Sequence, residues 1–269
     1  MPKEYLKKMT KLQKIALAIV LIYIILAILA PYITPYEPDD FSHPSLAKPS
    51  AEHWLGTTEI GHDIFSLLLY GFRSTVFLSL SAGIFTTLIG TILAFFSLYS
   101  SQVMDRVLDT IANLLLTIPD IIVILFLASI TKPGWQATLT IIVAFSWPRV
   151  YKNTRAKLKD LMQENRVQYI LSMKGNIFDL LDCLWREIWS ISAFYFIRQS
   201  NRALTYETTL SFLGIGDPFT KTWGKLIHAA TNYVDLFYDN TYLWYLLPVV
   251  VVLIIFVVAL TLLVSEVAR

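Results

Sequence analysis

Residues 151–187 read YKNTRAKLKDLMQENRVQYILSMKGNIFDLLDCLWRE, a long charged stretch in an otherwise apolar chain. Lys152, Arg155, Lys157, Lys159, Arg166, Lys174 and Arg186 stand here with Asp160, Glu164, Asp179, Asp182 and Glu187. A helix that crosses a bilayer needs about 20 apolar residues, so this stretch does not cross one. Nor is it a disordered linker. Leu158, Leu161, Met162, Val167, Ile170, Leu171 and Met173 recur at helical spacing, which predicts an amphipathic helix. Gly175 breaks it, and Asn176 followed by Asp179 predicts the capped start of a second helix. On that helix Ile177, Leu181, Leu184 and Ile188 share one face, while Asp179, Asp182 and Arg186 share the other. Two readings fit: a docking surface, or an interfacial helix pair that merely connects two membrane spans.

The flanks set the class. Of the 269 residues, 55% are hydrophobic, which points to an all-α polytopic integral membrane protein. The net charge of +2 says less than its distribution. Cys183 is the single cysteine, so the chain holds no internal disulfide; it is read as an inert, buried thiol. No glycine-rich run ends in Lys followed by Ser or Thr, so ATP chemistry must come from another chain and this one is not expected to be an enzyme.

Residues 1–14 carry Lys3, Lys7, Lys8, Lys11 and Lys14, and residues 15–30 are uninterrupted apolar sequence ahead of Pro31 and Pro35. The small-x-small pattern at Ala30 is poor, so an uncleaved first span is preferred to a signal peptide. Residues 31–75 are polar. Further spans are predicted at about 76–98, 107–130 (with Pro119 inside), 137–150, 188–206 and 243–264, six in all, with loops at 151–187 and 207–242. Gly83 and Gly90 predict close helix packing. Basic residues concentrate at 1–14, at Arg106, in 151–187 and at Arg269, which places both termini in the cytoplasm and 31–75 and 207–242 outside.

Arg198 and Arg202 lie one turn apart inside the fifth span, beside Gln199. A charge at bilayer depth costs about 2.5–3.5 kcal/mol on insertion scales. One reading is a cationic lining of a translocation path, suited to cargo bearing a carboxylate. The other is snorkelling, or structural pairing with Glu207. His43, His53, His62 and His228 fall in separate outer segments and are read as turn-capping or packing groups, with no metal site. The tryptophans near span ends form an ordinary aromatic belt.

Three further stretches carry a resemblance. Residues 53–75 read HWLGTTEIGHDIFSLLLYGFRST, 103–119 read VMDRVLDTIANLLLTIP, and 206–224 read YETTLSFLGIGDPFTKTWG. Together they resemble the DppC/OppC/NikC group of dipeptide, oligopeptide and nickel ABC-transporter permeases. His53, Leu55, Gly56, Thr57, Gly61, Asp63, Ser66, Tyr70, Gly71 and Arg73 match its first motif, with departures at Thr58 and His62. Asp105-Arg106 matches the second; Ser211, Phe212, Leu213, Gly214 and Gly216, then Trp223-Gly224, match the third.

The resemblance implies a type I ABC-importer permease fold in a bacterial or archaeal plasma membrane, surrounded by lipid. It implies half of a pore working by alternating access, with a second homologous permease, two ATPase subunits that bind ATP and Mg, and an extracytoplasmic substrate-binding protein. No nucleic acid and no cofactor on this chain are implied. The cargo implied is a short peptide, or alternatively nickel or a metal–metallophore complex. The charged stretch then stands where the family has its coupling helix, with Glu164, Tyr169, Ile170, Leu171, Gly175 and Asp179 as its candidate residues. Tyr169-Ile170-Leu171 replaces the usual E-A-A, and the later I-x-L-P is lost, leaving only Gly175. That degeneracy leaves a non-transport scaffold built on a decayed permease fold as an alternative of a different class.

Overall fold

The computed structural model describes residues 9–173 and 175–265, apart from the side chains of Ile177 and Ser265. Lys3, Lys7, Lys8, Lys174 and Arg269 lie outside that description. The described residues are mostly helical: α1 Lys11–Ile33, α2 Ile64–Tyr99, α3 Gln102–Thr117, α4 Asp120–Ile130, α5 Trp135–Leu161, α6 Asn165–Ser172, α7 Ile177–Phe212, α8 Trp223–Asn232 and α9 Leu247–Ser265.

Among the described residues, three helical segments are long and apolar enough to cross a membrane: Lys11–Ile33, Ile64–Tyr99 and Thr241–Val264. A fourth arises if α3 and α4, bent by 82°, count as one broken span. The break falls at Ile118-Pro119. Proline disfavours helical backbone in the residue before it, and Ile118 is extended, with ψ at 134°. The third span expected at 107–130 is therefore two helices.

Two other boundaries move. The helix that begins in the fourth expected span does not stop at 150 but runs on to Leu161, taking in the first part of the charged stretch. The second helix of that stretch and the fifth expected span are a single helix of 36 residues, α7. At 1.5 Å per residue it is about 54 Å long, more than a bilayer core needs. Its start is capped as expected: Asn176 Oδ1 accepts from the amides of Phe178 and Asp179 at 2.9 and 3.1 Å, and Asp179 Oδ2 accepts from Asn176 N at 2.7 Å.

α2 is the central helix and packs most extensively on α5 and α7. Its glycines explain the close approach. A Cβ at Gly83 would lie 2.0 Å from Ser200 Oγ on α7, and one at Gly90 would lie 2.5 Å from Val150 Cβ on α5. At the end where α8 sits, α1, the start of α2, α8 and α9 share a core built on aromatic rings. Tyr23 stacks on Phe256 at 4.9 Å, and Phe72 meets Trp223 edge-on at 4.9 Å. At the α6 end a second core joins Ala94, Tyr151, Leu158, Val167, Leu180 and Leu184.

Candidate functional site

The polar residues of α5 form the centre of the site. Arg149, Lys152 and Arg155 recur every third residue, so they share one face, and that face meets α3 and α4. Arg155 Nε donates to Asp105 Oδ1 at 2.6 Å, and its Nη2 donates to Asp105 Oδ2 at 2.5 Å, a bidentate pair. Ser97 and Tyr151 complete that knot: the Ser97 hydroxyl donates to Asp105, and it lies 3.1 Å from the Tyr151 hydroxyl. Next, Lys152 Nζ meets Asp109 Oδ1 at 3.0 Å. Last, Arg149 Nη2 lies 3.3 Å from Asp120 Oδ2. The bent pair α3–α4 is thus tied to α5 by successive ion pairs.

Asp120 also ties in α7. Its Oδ2 accepts from Arg202 Nη2 at 2.6 Å and from the Tyr206 hydroxyl at 2.5 Å. Arg202 and Arg149 therefore converge on one carboxylate oxygen. Asp120 stands in the first turn of α4, just past the break at Pro119, where a negative charge suits the helix dipole.

The expected path residues divide between two faces of α7. Arg198 is exposed and Arg202 half-buried. Gln199 is buried and donates to the Ser146 carbonyl at 3.0 Å. Glu207 does not pair with either arginine. It is buried, accepts from Ser211 Oγ at 2.7 Å, and lines a small crevice of about 20 Å³ with Ser74, Trp135, Thr138 and Thr222. The partner of Arg202 is Asp120.

At the turn around α6, Glu164 sits at the N-cap of that helix without capping it. Its Oε2 accepts instead from Arg166 Nε at 2.7 Å, and Arg166 Nη2 reaches Glu187 Oε1 on α7 at 2.8 Å. Those two hydrogen bonds hold the Arg166 guanidinium above its ordinary pKa. Val167 is fully buried and anchors α6. Ile170 is half-buried, whereas Tyr169, Leu171, Met173 and Phe178 are exposed, giving this end an apolar outer face. Gly175 N donates to the Ile170 carbonyl at 2.9 Å, and a Cβ at Gly175 would lie 2.5 Å from Ile170 Cγ2. The constraint at Gly175 is this contact, since its φ is not among the positive ones.

The motif residues of the α8 end meet in space. Asp63 caps α2 through Ser66 N at 2.7 Å and bonds His53 Nδ1 at 3.0 Å. Thr57 Oγ1 accepts from Ala47 N at 2.8 Å. Gly56 and Gly61, at φ +71° and +85°, turn the chain where a Cβ would strike the Ala47 and His43 carbonyls. Gly71 lies under Trp223, whose Nε1 donates to the Leu68 carbonyl at 3.2 Å. Gly224 packs on Thr208 and Ser211, and Gly216 on Ser211, while the turn at Gly214 closes α7 through Ile215 N to the Leu210 carbonyl at 2.9 Å. Tyr70 is half-buried, and Arg73 and Arg106 are exposed. The histidines pack as well: His53 lies 4.6 Å from His43 and 5.0 Å from Tyr36, ring to ring.

Sequence reasoning missed Asp109, Asp120, Arg149, Lys152, Arg155 and Tyr206 as a connected set. A signal was present in the spacing of Arg149, Lys152 and Arg155, but the boundary set at 150 divided them between a span and a loop.

The geometry matches what comparisons with known proteins find. Residues 86–269 match the family described as the binding-protein-dependent transport system inner membrane component. Residues 8–49 match the N-terminal TM domain of oligopeptide transport permease C. A glutathione transport system permease protein, GsiD, of Pectobacterium atrosepticum is 32% identical over 222 residues, covering 79% of this chain and 72% of that protein. The dipeptide transport system permease protein DppC of Haemophilus influenzae is 29% identical over 233 residues, covering 82% and 78%. A putative peptide permease protein of Brucella suis biovar 1 is 29% identical over 208 residues, covering 75% and 68%. With a membrane-spanning helical fold and a family match over most of its length, the chain belongs to the inner membrane components of binding-protein-dependent transport systems.

Proposed function

We propose that this chain is a permease subunit of an ATP-driven importer of short peptides, forming half of the translocation path. The observation that carries this reading is the cluster of Asp120, Arg149 and Arg202. The ten residues from Phe212 back to Arg202 place Arg202 about 15 Å inside α7 from its α8 end. Arg149 is 42% exposed and Arg202 25% exposed in the single chain. Charged side chains at such depth face a bundle interior or a watery cavity, not lipid. That face therefore borders a path, which a second, homologous permease would close from the other side.

The rest of the assembly follows from the family and is proposed with it. Two ATPase subunits, carrying ATP and Mg, dock at the α6 end; a binding protein delivers cargo at the α8 end. The six spans are α1, α2, the broken α3–α4, α5, α7 and α9, with both termini and α6 in the cytoplasm of a bacterial or archaeal cell. ATP-driven closure of the ATPases moves α6 and rocks the helices by alternating access. The exposed Tyr169, Leu171, Met173 and Phe178 supply the docking face, replacing the family's charged contact by apolar burial. The relatives are named as permeases for peptides, dipeptides and glutathione, which does not favour nickel as cargo. The scaffold reading has only the degenerate coupling motif behind it.

The test is co-purification with the neighbouring subunits, identification of co-eluting chains, and ATP-dependent uptake of dialanine into proteoliposomes with the loaded binding protein. Uptake that requires hydrolysable ATP is expected. A complex lacking ATPase subunits, or one that takes up no peptide, overturns the reading.

A further inference from the structure

We propose that Arg149, Arg202 and Tyr206 form a subsite for the C-terminal carboxylate of the cargo, with Asp120 as its resident counter-ion. The inference rests on the peptide-import reading and adds the residues that would recognise one end of the peptide.

Three donors from two helices converge on a single oxygen. Asp120 Oδ2 receives Arg202 Nη2 at 2.6 Å, Tyr206 OH at 2.5 Å and Arg149 Nη2 at 3.3 Å. Two guanidinium groups share one carboxylate, so the cluster keeps a surplus positive charge. Arg202 Nε and Nη2 also donate to Tyr206 Oη, at 3.2 and 2.5 Å, which fixes the guanidinium of Arg202 in place. Arg149 makes a single long contact and is the most exposed of the pair, so most of its donors are unspent. Arg198 lies exposed one turn along α7 and adds to the positive field.

A structural ion pair needs one cation per carboxylate. The second cation here is left over, and its planar fork suits a carboxylate bidentately. Asp120 has a definite part in this. It offsets one of the two positive charges, and it limits how tightly an anion is held. Without it the arginines would retain cargo too well for release, since a site must bind firmly enough to load yet weakly enough to let go. Because Asp120 stands at the break between α3 and α4, filling the subsite also bears on that bent element.

The experiment measures binding of dialanine and of its C-terminal amide to the purified complete transporter without binding protein, by equilibrium dialysis. Wild-type complex is expected to hold the acid about tenfold more tightly than the amide, the size of a charge-assisted bond. Arg149→Gln, chosen because its single contact is long, should abolish that preference with assembly intact. Arg202→Lys should keep the charge and recover only part of it. Asp120→Asn should widen the preference while slowing uptake per assembled complex. If the arginines are merely structural, Asp120→Asn and the arginine variants would act in the same direction. Wild-type complex that imports dialanine yet binds acid and amide equally, or neither, overturns the subsite and leaves peptide import standing. Wild-type complex that imports no dialanine with loaded binding protein overturns peptide import itself.

Discussion

Two regions of this molecule hold helices together by opposite means. At the α8 end, Tyr23, Phe72, Trp223 and Phe256 interlock α1, α2, α8 and α9 through ring contacts at 4.8–6.0 Å. Toward the other side, α3 and α4 are tied to α5 by Asp105–Arg155, Asp109–Lys152 and Asp120–Arg149. The aromatic cluster has one best arrangement, because close-packed rings cannot slide without opening voids. The ionic face has several. Arg155 already reaches both Asp105 at 2.5 Å and Asp109 at 3.5 Å, and Lys159 stands 3.8 Å from Asp105. Asp105, Asp109 and Asp120 each have two cations within 4.0 Å. On the proposed alternating-access mechanism, the first region is the one expected to stay and the second the one expected to move.

That contrast breaks most sharply at Trp223. It is fully buried, and its indole N–H bonds the Leu68 carbonyl at 3.2 Å. Trp223→Ala empties the centre of the cluster and leaves Gly71 over a void. The expected loss is about 3–5 kcal/mol. Thermal unfolding of the purified complex measures it, and ATPase activity in whatever complex survives should be near normal. A small melting shift would show that the aromatic region is not the static half.

Asp105→Asn tests the other half, with a smaller effect on stability. Asp105 is 22% exposed and Arg155 15%, so solvent shares the cost. Loss of the pair should cost about 1–3 kcal/mol, between surface and buried limits. Arg155 should find Asp109, so the coupling energy in a cycle with Arg155→Gln will be modest, while uptake per complex falls several-fold. If stability and uptake fall in proportion, the ladder is only scaffolding.

The motif glycines beside the aromatic half were the more legible in the sequence, and the reason is chemical. Gly56, Gly61, Gly71 and Trp223 belong to motifs, so recognising the motif named them. The contacts themselves needed the fold: Gly71 meets Trp223 across 152 positions, Phe72 meets Trp223 across 151, and Tyr23 meets Phe256 across 233. The ionic half is long-range throughout: Arg202 finds Asp120 across 82 positions. Charge makes no period of its own when its partner lies on another element. The expectation that Glu207 pairs with an arginine failed for the same reason, since proximity along α7 put it on the wrong face. Polarity changes at 150 and 188, which set the expected span bounds there, but no glycine or proline stops the backbone and the helices run through. Pro119, by contrast, was visible and did break its span.

The smallest expected effect on stability, and the one that joins the moving half to its drive, lies at Gly175. A Cβ there would meet Ile170 Cγ2 at 2.5 Å and the Ile170 carbonyl at 3.0 Å. The first is the end of a side chain and can give; the second is backbone and is already bonded to Gly175 N at 2.9 Å. Gly175→Ala should therefore shift α6 against α7 by a few tenths of an ångström and cost only about 1 kcal/mol, at the low end of overpacking. The Ile170 ring of contacts includes the buried core beside Val167, so the displacement passes to the exposed Tyr169–Met173 face. Cargo-stimulated ATPase activity should fall several-fold while basal activity and assembly hold. Ile170→Leu moves the branch from the β to the γ carbon and removes Cγ2, so Gly175→Ala with Ile170→Leu should regain part of the stimulation. Recovery without any change in melting would place the fault in the contact between α6 and the start of α7. If Gly175→Ala leaves stimulation untouched, this turn does not transmit the stroke, and the ionic face must be driven from elsewhere along α5.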